Sequence, residues 1–223
     1  MTLRATGLDR AVRKEYTVRS PDHRPQGQAC GICREKYKRA GGSGNALVPL
    51  LEHGGQYVIE STVVARYIAQ NVGGPELYPR TPDDLDRIER FLSIWADVET
   101  TYYDLLRASS DAQVEERRAV FVERLAAVDE LLDRAPFLLG DDFSFAECVA
   151  APWVQRFFVT LPYFRGIDFE GDILRAFDAL PGWMHAVRDR ASCQESICPE
   201  GEMLDAAKRY YVSYLSPGAT GIV

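Results

Sequence analysis

Two cysteines near the amino end of the sequence have the spacing of a dithiol redox site. Cys30 and Cys33 are separated by two residues and precede a charged stretch, residues 34–40, that predicts a helix. A cysteine at a helix N-terminus loses its proton readily, because the helix end and cations such as Arg34 and Lys36 stabilise the thiolate. The pattern therefore offers a nucleophilic thiol, with Cys30 as the catalytic candidate, if the fold places this stretch at a reaction site.

The other residues that could do chemistry form no recognisable set. Five cysteines are too few, and odd in number, for a disulfide framework, which favours reduced thiols. The three histidines are scattered, and Cys193 and Cys198 lack a second pair, so we expect no metal site. The glycines within residues 40–46 are not followed by the Lys-Ser or Lys-Thr of a phosphate loop, so we expect no nucleotide.

Charge and hydropathy exclude several classes of partner. Residues 1–45 carry ten Lys and Arg against four Asp and Glu, whereas the net charge of the whole chain is −7. The basic segment lacks interleaved aromatic residues and the acidic remainder repels a polyanion, so we expect no nucleic-acid partner. No apolar run approaches the roughly 18 residues of a membrane helix, and the first residues lack a signal-peptide core. We therefore expect no membrane partner and a cytoplasmic location.

The first third of the sequence predicts a small α/β unit. Residues 15–20, 47–53 and 56–61 are short runs typical of strands, and a His-Gly-Gly turn joins the last two into a hairpin. Residues 61–74 then predict a helix with Ser61 as its N-cap and a pair of glycines at its end. A stretch rich in Pro and Asp follows and predicts a linker.

Beyond the linker the sequence predicts helices only. Apolar residues recur at spacings of three and four over residues 88–106 and 114–132, which is typical of amphipathic helices. Ser144 begins a Ser-x-x-Glu capping box before an apolar run, which predicts a third helix. Two shorter helices divided at Pro181 and a closing helix over residues 199–215 complete the prediction.

Three segments in this order resemble the glutathione transferase family. Residues 46–79 contain a Val-Pro pair, a hairpin turn and a Glu-Ser pair that opens a helix. Residues 137–157 contain the capping box, and the helical tail completes the likeness, which covers about residues 45–190. The first segment is most similar to the cysteine-type omega, lambda and dehydroascorbate-reductase branch of the family.

The resemblance implies an α/β unit followed by an all-α unit. A thioredoxin-like glutathione-binding domain, incomplete at its start, is expected over residues 1–78. An α-helical domain is expected over residues 79–223.

The resemblance also implies a site for glutathione as a substrate. Val48, followed by Pro49 in the cis form, is expected to pair antiparallel with the cysteinyl part of the peptide. Glu60 is expected to bind the ammonium of the γ-glutamyl end. The Ser61 hydroxyl and the free N–H groups of a helix N-terminus are expected to bind its carboxylate. The alternative is that Ser61 only caps the helix and Glu60 is only an acid of its first turn.

The resemblance implies further contacts, to the glycyl end of glutathione and to the second substrate. Lys36 or Lys38 is expected to meet the glycyl carboxylate of glutathione. Tyr103 and Trp153 are expected near the pocket for the second substrate, a small electrophile or a disulfide. The alternative for these two aromatic residues is a place in the core. Homodimers are common in the family and monomers occur in this branch, so a homodimer is one expected state.

The catalytic residue has no counterpart at the position that the family gives it. There a Cys, Ser or Tyr follows the first strand, and a second strand and helix precede the Val-Pro pair. On that register residues 15–20 are the second strand and Cys30 lies in the loop that follows it, so the first strand and the catalytic residue are expected to be missing. Three interpretations stay open: the start of the sequence is misplaced, activity is lost, or Cys30 has taken over the redox role.

Two functions follow from the resemblance. The first is glutathione conjugation, or glutathione-dependent reduction of thiols or dehydroascorbate, in detoxification or redox metabolism. The second is a non-catalytic module that uses the same fold for protein–protein interaction. The missing first strand favours the module, whereas the intact Val-Pro and Glu-Ser pairs favour the enzyme.

Overall fold

The structure, a computed structural model, describes residues 31–44, 46–47, 49–72, 76–79 and 81–210. The chain divides into two compact units, Met1–Tyr78 and Pro79–Val223. The described elements of the first unit are α1 (Gly31–Arg39), β1 (Leu50–His53), β2 (Gln56–Ile59) and α2 (Ser61–Asn71). The predicted strand over residues 15–20 lies outside the described residues.

The two strands form the predicted antiparallel hairpin, although each is shorter than the predicted run. The register pairs Leu50 with Ile59 at the end away from the turn. The turn consists of Gly54 and Gly55, with φ of 56° and 78°. Glycine adopts positive φ without steric cost, and a turn with two such residues matches the twist of the flanking strands. The turn therefore fixes the register of the hairpin.

The two helices of this unit lie against opposite faces of the hairpin. Side chains alternate along a strand, so Glu52 and its cross-strand partner Tyr57 share one face and His53 lies on the other. Lys36 of α1 forms a hydrogen bond with Glu52, whereas His53 Nδ1 lies 3.1 Å from the Tyr67 hydroxyl of α2. The hairpin is therefore held between α1 and α2.

The start of α2 differs from the prediction. The helix begins at Ser61, and Glu60 occupies the N-cap position without a side-chain capping bond. The Glu60 carbonyl accepts a helical hydrogen bond from Val64 N at 2.8 Å. The prediction that Ser61 is the N-cap is wrong, because Ser61 is already a helical residue and a cap stands just outside the helix. The helix ends at Asn71, before the two glycines, which lie outside the described residues.

The second unit is helical in its described part, as predicted. Its helices are α3 (Pro82–Leu106), α4 (Asp111–Asp129), α5 (Phe145–Arg165), α6 (Leu180–Asp189), α7 (Ala191–Ser196) and α8 (Glu200–Tyr210). A π-helical turn, Phe169–Ile173, and a 3-10 turn, Leu174–Ala176, precede α6. Within the described ranges, no helix combines the length and the apolar character needed to cross a bilayer.

Helix α3 packs against α4 and α5 around a core rich in aromatic rings. Thr81 and Ser110 cap α3 and α4 by accepting hydrogen bonds at 3.3 Å from backbone N–H groups of the first turns. The large rings with no solvent exposure are Phe91, Trp95, Tyr102, Phe121, Phe157 and Trp183. Together with Ile88, Val98 and Leu105, which are also buried, the rings on α3 confirm the predicted spacing of three and four.

The predicted capping box of α5 is confirmed and has additional partners. Glu147 has no solvent exposure, and its Oε2 accepts from Ser144 N at 2.9 Å and from Ser144 Oγ at 2.7 Å. Its Oε1 accepts from Leu138 N at 2.7 Å and from Trp183 Nε1 at 3.0 Å. A single buried carboxylate therefore joins the loop before α5, the start of α5 and helix α6.

The predicted division into two short helices is present, but it lies a few residues before Pro181. Helix α6 begins at Leu180, so Pro181 lies in its first turn, where the missing N–H costs no helical hydrogen bond. The helix start is fixed by Asp129 at the end of α4. Asp129 Oδ1 accepts from Ala179 N at 2.8 Å and from Leu180 N at 2.7 Å. A carboxylate about fifty residues earlier in the chain thus caps this helix.

Candidate functional site

The hairpin register brings the predicted glutathione contacts to one end of the sheet. Pro49 precedes Leu50, and Glu60 follows Ile59, which is the partner of Leu50. Pro49 is half-buried, whereas Glu60 and Ser61 are exposed. Val48 lies outside the described residues. The end of the hairpin opposite the turn therefore carries Pro49 and the Glu60–Ser61 pair.

The backbone at Glu60 has a conformation that non-glycine residues rarely adopt. Its φ is 71° and its ψ is 125°. Such a conformation costs of order 1–3 kcal/mol and persists only where the surrounding structure holds it. Here the paired end of β2 and the first turn of α2 enclose the residue on both sides. The corner between strand and helix is thus sharply bent at a predicted binding residue.

The first turn of α2 can bind an anion. Its leading N–H groups, beginning with Ser61, have no partner within the helix, and the turn itself contains no acidic residue. The partial positive charge of a helix N-terminus contributes about 0.3–1 kcal/mol to an anion at an exposed site. Glu60 lies next to this end and can bind a cation. The pair can therefore bind an α-amino acid group through both of its charges.

Lys36, the predicted contact for the glycyl carboxylate, has a partner within the chain. Its ammonium forms an ion pair with Glu52, and the two side chains are 32% and 41% exposed. The hydrogen bond from Lys36 is the main cause that lowers the pKa of Glu52, with a hydrogen bond from Tyr57 and the charge of Arg39 acting in the same direction. The cations of Lys36 and Arg39 lie 5.6 Å and 5.0 Å from the centre of the Tyr57 ring.

Sequence reasoning missed Glu52, although one signal was present. The run from Leu47 to Leu51 is apolar, and the strand then places an acid, Glu52, on the face opposite to the buried Leu51. An acid within a short strand favours a cationic partner on the element that packs against it. Its identity as Lys36 depends on the docking of α1, which the local pattern does not contain.

Tyr103 and Trp153 are brought together on the helical unit. Their ring centres are 5.2 Å apart in an edge-to-face arrangement of 83°, and both side chains are half-buried. Arg107 lies over the Tyr103 ring at 5.5 Å and Arg156 over the Trp153 ring at 4.6 Å. Beneath them Tyr102 is fully buried and lies 2.7 Å from the Thr160 hydroxyl. The two predicted residues thus lie between core and surface, with part of each ring accessible.

Glu99 lies one turn before Tyr103 on α3 and was also missed. Burial raises its pKa from 4.5 to about 7, while the charge of Arg156 acts in the opposite direction. The residue is half-buried. It lies four positions after the buried Trp95 and four positions before Tyr103, which places it at the inner edge of α3. This spacing of four positions is visible in the sequence and indicates that Glu99 lies close to the buried side of α3.

Replacing Glu99 by glutamine is expected to stabilise the protein above pH 7. Because its folded-state pKa is raised from 4.5 to about 7, the wild-type carboxyl contributes stability below pH 4.5 that is lost as the pH rises through 7. Glutamine stays neutral throughout. Partial exposure limits the expected gain to about 1 kcal/mol. Urea unfolding of both proteins across this pH range measures the difference, and a difference independent of pH would contradict the assignment.

Two cysteines described by the structure, Cys148 and Cys193, are not activated thiols. Cys148, Cys193 and Cys198 are free. Burial raises the pKa of Cys148 to about 12 and also raises the pKa of Cys193. Cys30 and the side chain of Cys33 lie outside the described residues, so the predicted role of Cys30 stays a prediction. Within the same described ranges, no group of three His, Cys, Asp or Glu side chains is arranged to hold a metal ion.

Comparison with known proteins gives consistent matches. The family model "Glutathione S-transferase, C-terminal domain" matches residues 111–186. A "Probable glutathione S-transferase" of Nicotiana tabacum is 26% identical over 162 residues, which cover 70% of this chain and 69% of that protein. "Protein IN2-1 homolog B" of Oryza sativa subsp. indica is 30% identical over 126 residues, covering 54% of this chain and 47% of that protein. The chain thus spans about half the length of the rice relative.

The fold has solved counterparts. Glutathione transferase Omega 3C from Trametes versicolor superposes with a TM-score of 0.63 at 22% identity, covering 75% of this chain and 72% of that chain. This likeness confirms the predicted fold class, a thioredoxin-like N-terminal domain followed by an α-helical C-terminal domain. Together with the matches in sequence, it supports the predicted resemblance to the glutathione S-transferase family.

Proposed function

We propose that this protein binds glutathione in residues 1–78 and uses it in conjugation or in thiol-dependent reduction. One observation supports the proposal above the others: the register places Pro49 and the Glu60–Ser61 pair at one end of the hairpin, next to the N-terminus of α2. An extended peptide aligned with the strand edge beside Pro49 would reach this corner with its γ-glutamyl end. Edge pairing supplies main-chain hydrogen bonds, and the charged ends fix the direction of the ligand.

The γ-glutamyl end carries one ammonium and one carboxylate, and the corner offers one group for each. The Glu60 carboxylate accepts hydrogen bonds from the ammonium. The Ser61 hydroxyl and the first N–H groups of α2 donate to the carboxylate. Hydrogen bonds that involve a charged group contribute about 1.5–3 kcal/mol each. Two such contacts favour glutathione over thiols that lack this end.

The second substrate is proposed to contact the half-buried pair Tyr103 and Trp153 of the helical domain, residues 79–223. Both rings expose part of an apolar surface, and Glu99 and Arg156 beside them supply polar groups. Such a surface suits a small aromatic electrophile or the organic half of a glutathione mixed disulfide. The glutathione thiolate would attack the electrophile directly. In the reductive reaction it would attack the disulfide sulfur and release the second thiol.

Calorimetric titration of the purified protein tests the proposal. We expect saturable binding of reduced glutathione in the millimolar range or tighter, and none of cysteinylglycine, which lacks the γ-glutamyl end. A folded protein that binds neither thiol would reject the proposal. A protein that binds both equally would reject the role of the Glu60–Ser61 corner.

The non-catalytic module is the second candidate, because the raised pKa values of Cys148 and Cys193 make these two thiols poor nucleophiles. A measurement of catalytic turnover distinguishes the enzyme from the non-catalytic module. Conjugation of an activated aryl halide, or reduction of a glutathione mixed disulfide, at rates above the uncatalysed reaction supports the enzyme. Loss of only the disulfide activity in a Cys30→Ser variant would assign the redox step to Cys30. A protein that binds glutathione without turnover supports the module.

A further inference from the structure

The cation predicted to receive the glycyl carboxylate already binds a carboxylate of the same domain. Lys36 on α1 pairs with Glu52 on β1, and both side chains are partly accessible to solvent. Glutathione would therefore meet Lys36 as half of an ion pair. Binding its glycyl carboxylate requires Lys36 to exchange or share its partner.

The acid of this pair has other favourable contacts within the hairpin and beside it. Glu52 is fixed in the register opposite Tyr57, and a hydrogen bond from Tyr57 also contributes to lowering its pKa. Arg39, over the same ring at 5.0 Å, adds a second positive charge beside it. Lys36 reaches the pair through a flexible four-carbon chain. The lysine is therefore the member that can move, and Glu52 retains other favourable contacts when it does.

We propose that Glu52 restrains Lys36 and thereby sets the preference of the site between thiols with and without a glycyl carboxylate. This inference rests on the proposed function. A second carboxylate that approaches Lys36 is attracted by the ammonium and repelled by Glu52. The Glu52 charge thus weakens the attraction that Lys36 offers to glutathione. In γ-glutamylcysteine the terminal carboxylate lies one residue short of the glycyl position, so this exchange affects it less.

Titrations with two thiols and three variants test the inference. Glu52→Gln removes the charge but retains the shape and a hydrogen-bonding group for Tyr57. We expect it to tighten glutathione binding about three- to tenfold and to leave γ-glutamylcysteine binding within about twofold. Lys36→Met should weaken glutathione binding more than γ-glutamylcysteine binding, and Glu52→Gln should have a smaller effect in that background. Glu52→Asp, which keeps the charge, should behave like the wild type, and thermal melting verifies that each variant is folded.

The outcomes separate this inference from the proposed function. If the wild type binds glutathione but Glu52→Gln binds it equally or more weakly, Glu52 positions Lys36 instead of competing for it, and the inference is overturned alone. An equal change for both thiols also overturns it, because the effect then does not involve the glycyl carboxylate. If the wild type binds neither thiol, the proposed function fails and this inference fails with it.

Discussion

Replacing Glu147 by alanine is expected to lower the free energy of unfolding by about 3–5 kcal/mol. The carboxylate has no solvent exposure and accepts hydrogen bonds from Leu138 N, Ser144 N, Ser144 Oγ and Trp183 Nε1. Alanine leaves these buried donors without acceptors and opens a cavity. An unsatisfied buried donor costs about 1–3 kcal/mol, and neighbouring losses add less than fully because they share one acceptor group.

Urea denaturation measures this effect, with Glu195→Ala as the matched control. Glu195 is an exposed glutamate on α7, so its replacement should change stability by no more than about 0.5 kcal/mol. Glu147→Asp keeps the charge on a shorter side chain and should lie between wild type and Glu147→Ala. A loss below about 1 kcal/mol for Glu147→Ala would show that water or another group satisfies the donors.

The double variant Glu60→Gln, Ser61→Ala is expected to weaken glutathione binding about 100-fold, if the corner of β2 and α2 holds the γ-glutamyl end. Each replacement removes one partner of a charged ligand group, and two such contacts at about 1.5 kcal/mol each give this factor. Both side chains are exposed, so the fold should be retained. Isothermal titration with reduced glutathione provides the measurement.

Gln70→Ala is the control for this double variant. Gln70 is an exposed residue near the opposite end of α2, so binding should be unchanged. A loss of less than about threefold in a folded double variant would place the γ-glutamyl end elsewhere. The N-terminus of α2 would then have only a structural role.

Local sequence signals predicted those parts of the fold that neighbouring residues determine. The glycine pair specified the hairpin turn, and apolar spacing specified α3 and α4 because one face of each is buried. The box formed by Ser144 and Glu147 was predictable because both partners lie within one helical turn.

The predictions of helix starts differ from the structure where a residue type is common at more than one position of a helix end. Ser61 suits both an N-cap and a first helical residue, and the structure gives the cap position to Glu60. Proline is common both at a helix boundary and in a first turn. Here Pro181 lies in the first turn, because Asp129 caps the helix at Leu180, one residue earlier. Neither choice can be made from neighbouring residues alone.

The electrostatic features of the candidate site were the least accessible from sequence. Lys36 was identified as a basic residue near the Val-Pro pair, but its partner Glu52 depends on how α1 docks on the sheet. The raised pKa of Glu99 depends on burial between α3 and its neighbours. Both properties arise from contacts between elements, so they become visible only in three dimensions.

The bond between Asp129 and the start of α6 has a consequence for how the helical unit assembles. The backbone amides of Ala179 and Leu180 have their acceptor on another helix, so α6 has no complete N-terminus until α4 has docked beside it. We therefore expect the two helices to gain order together and to lose it together. Solvent deuterium would reach these two amides only in openings large enough to separate α4 from α6, although both amides lie at a helix end, where fraying is usually easiest.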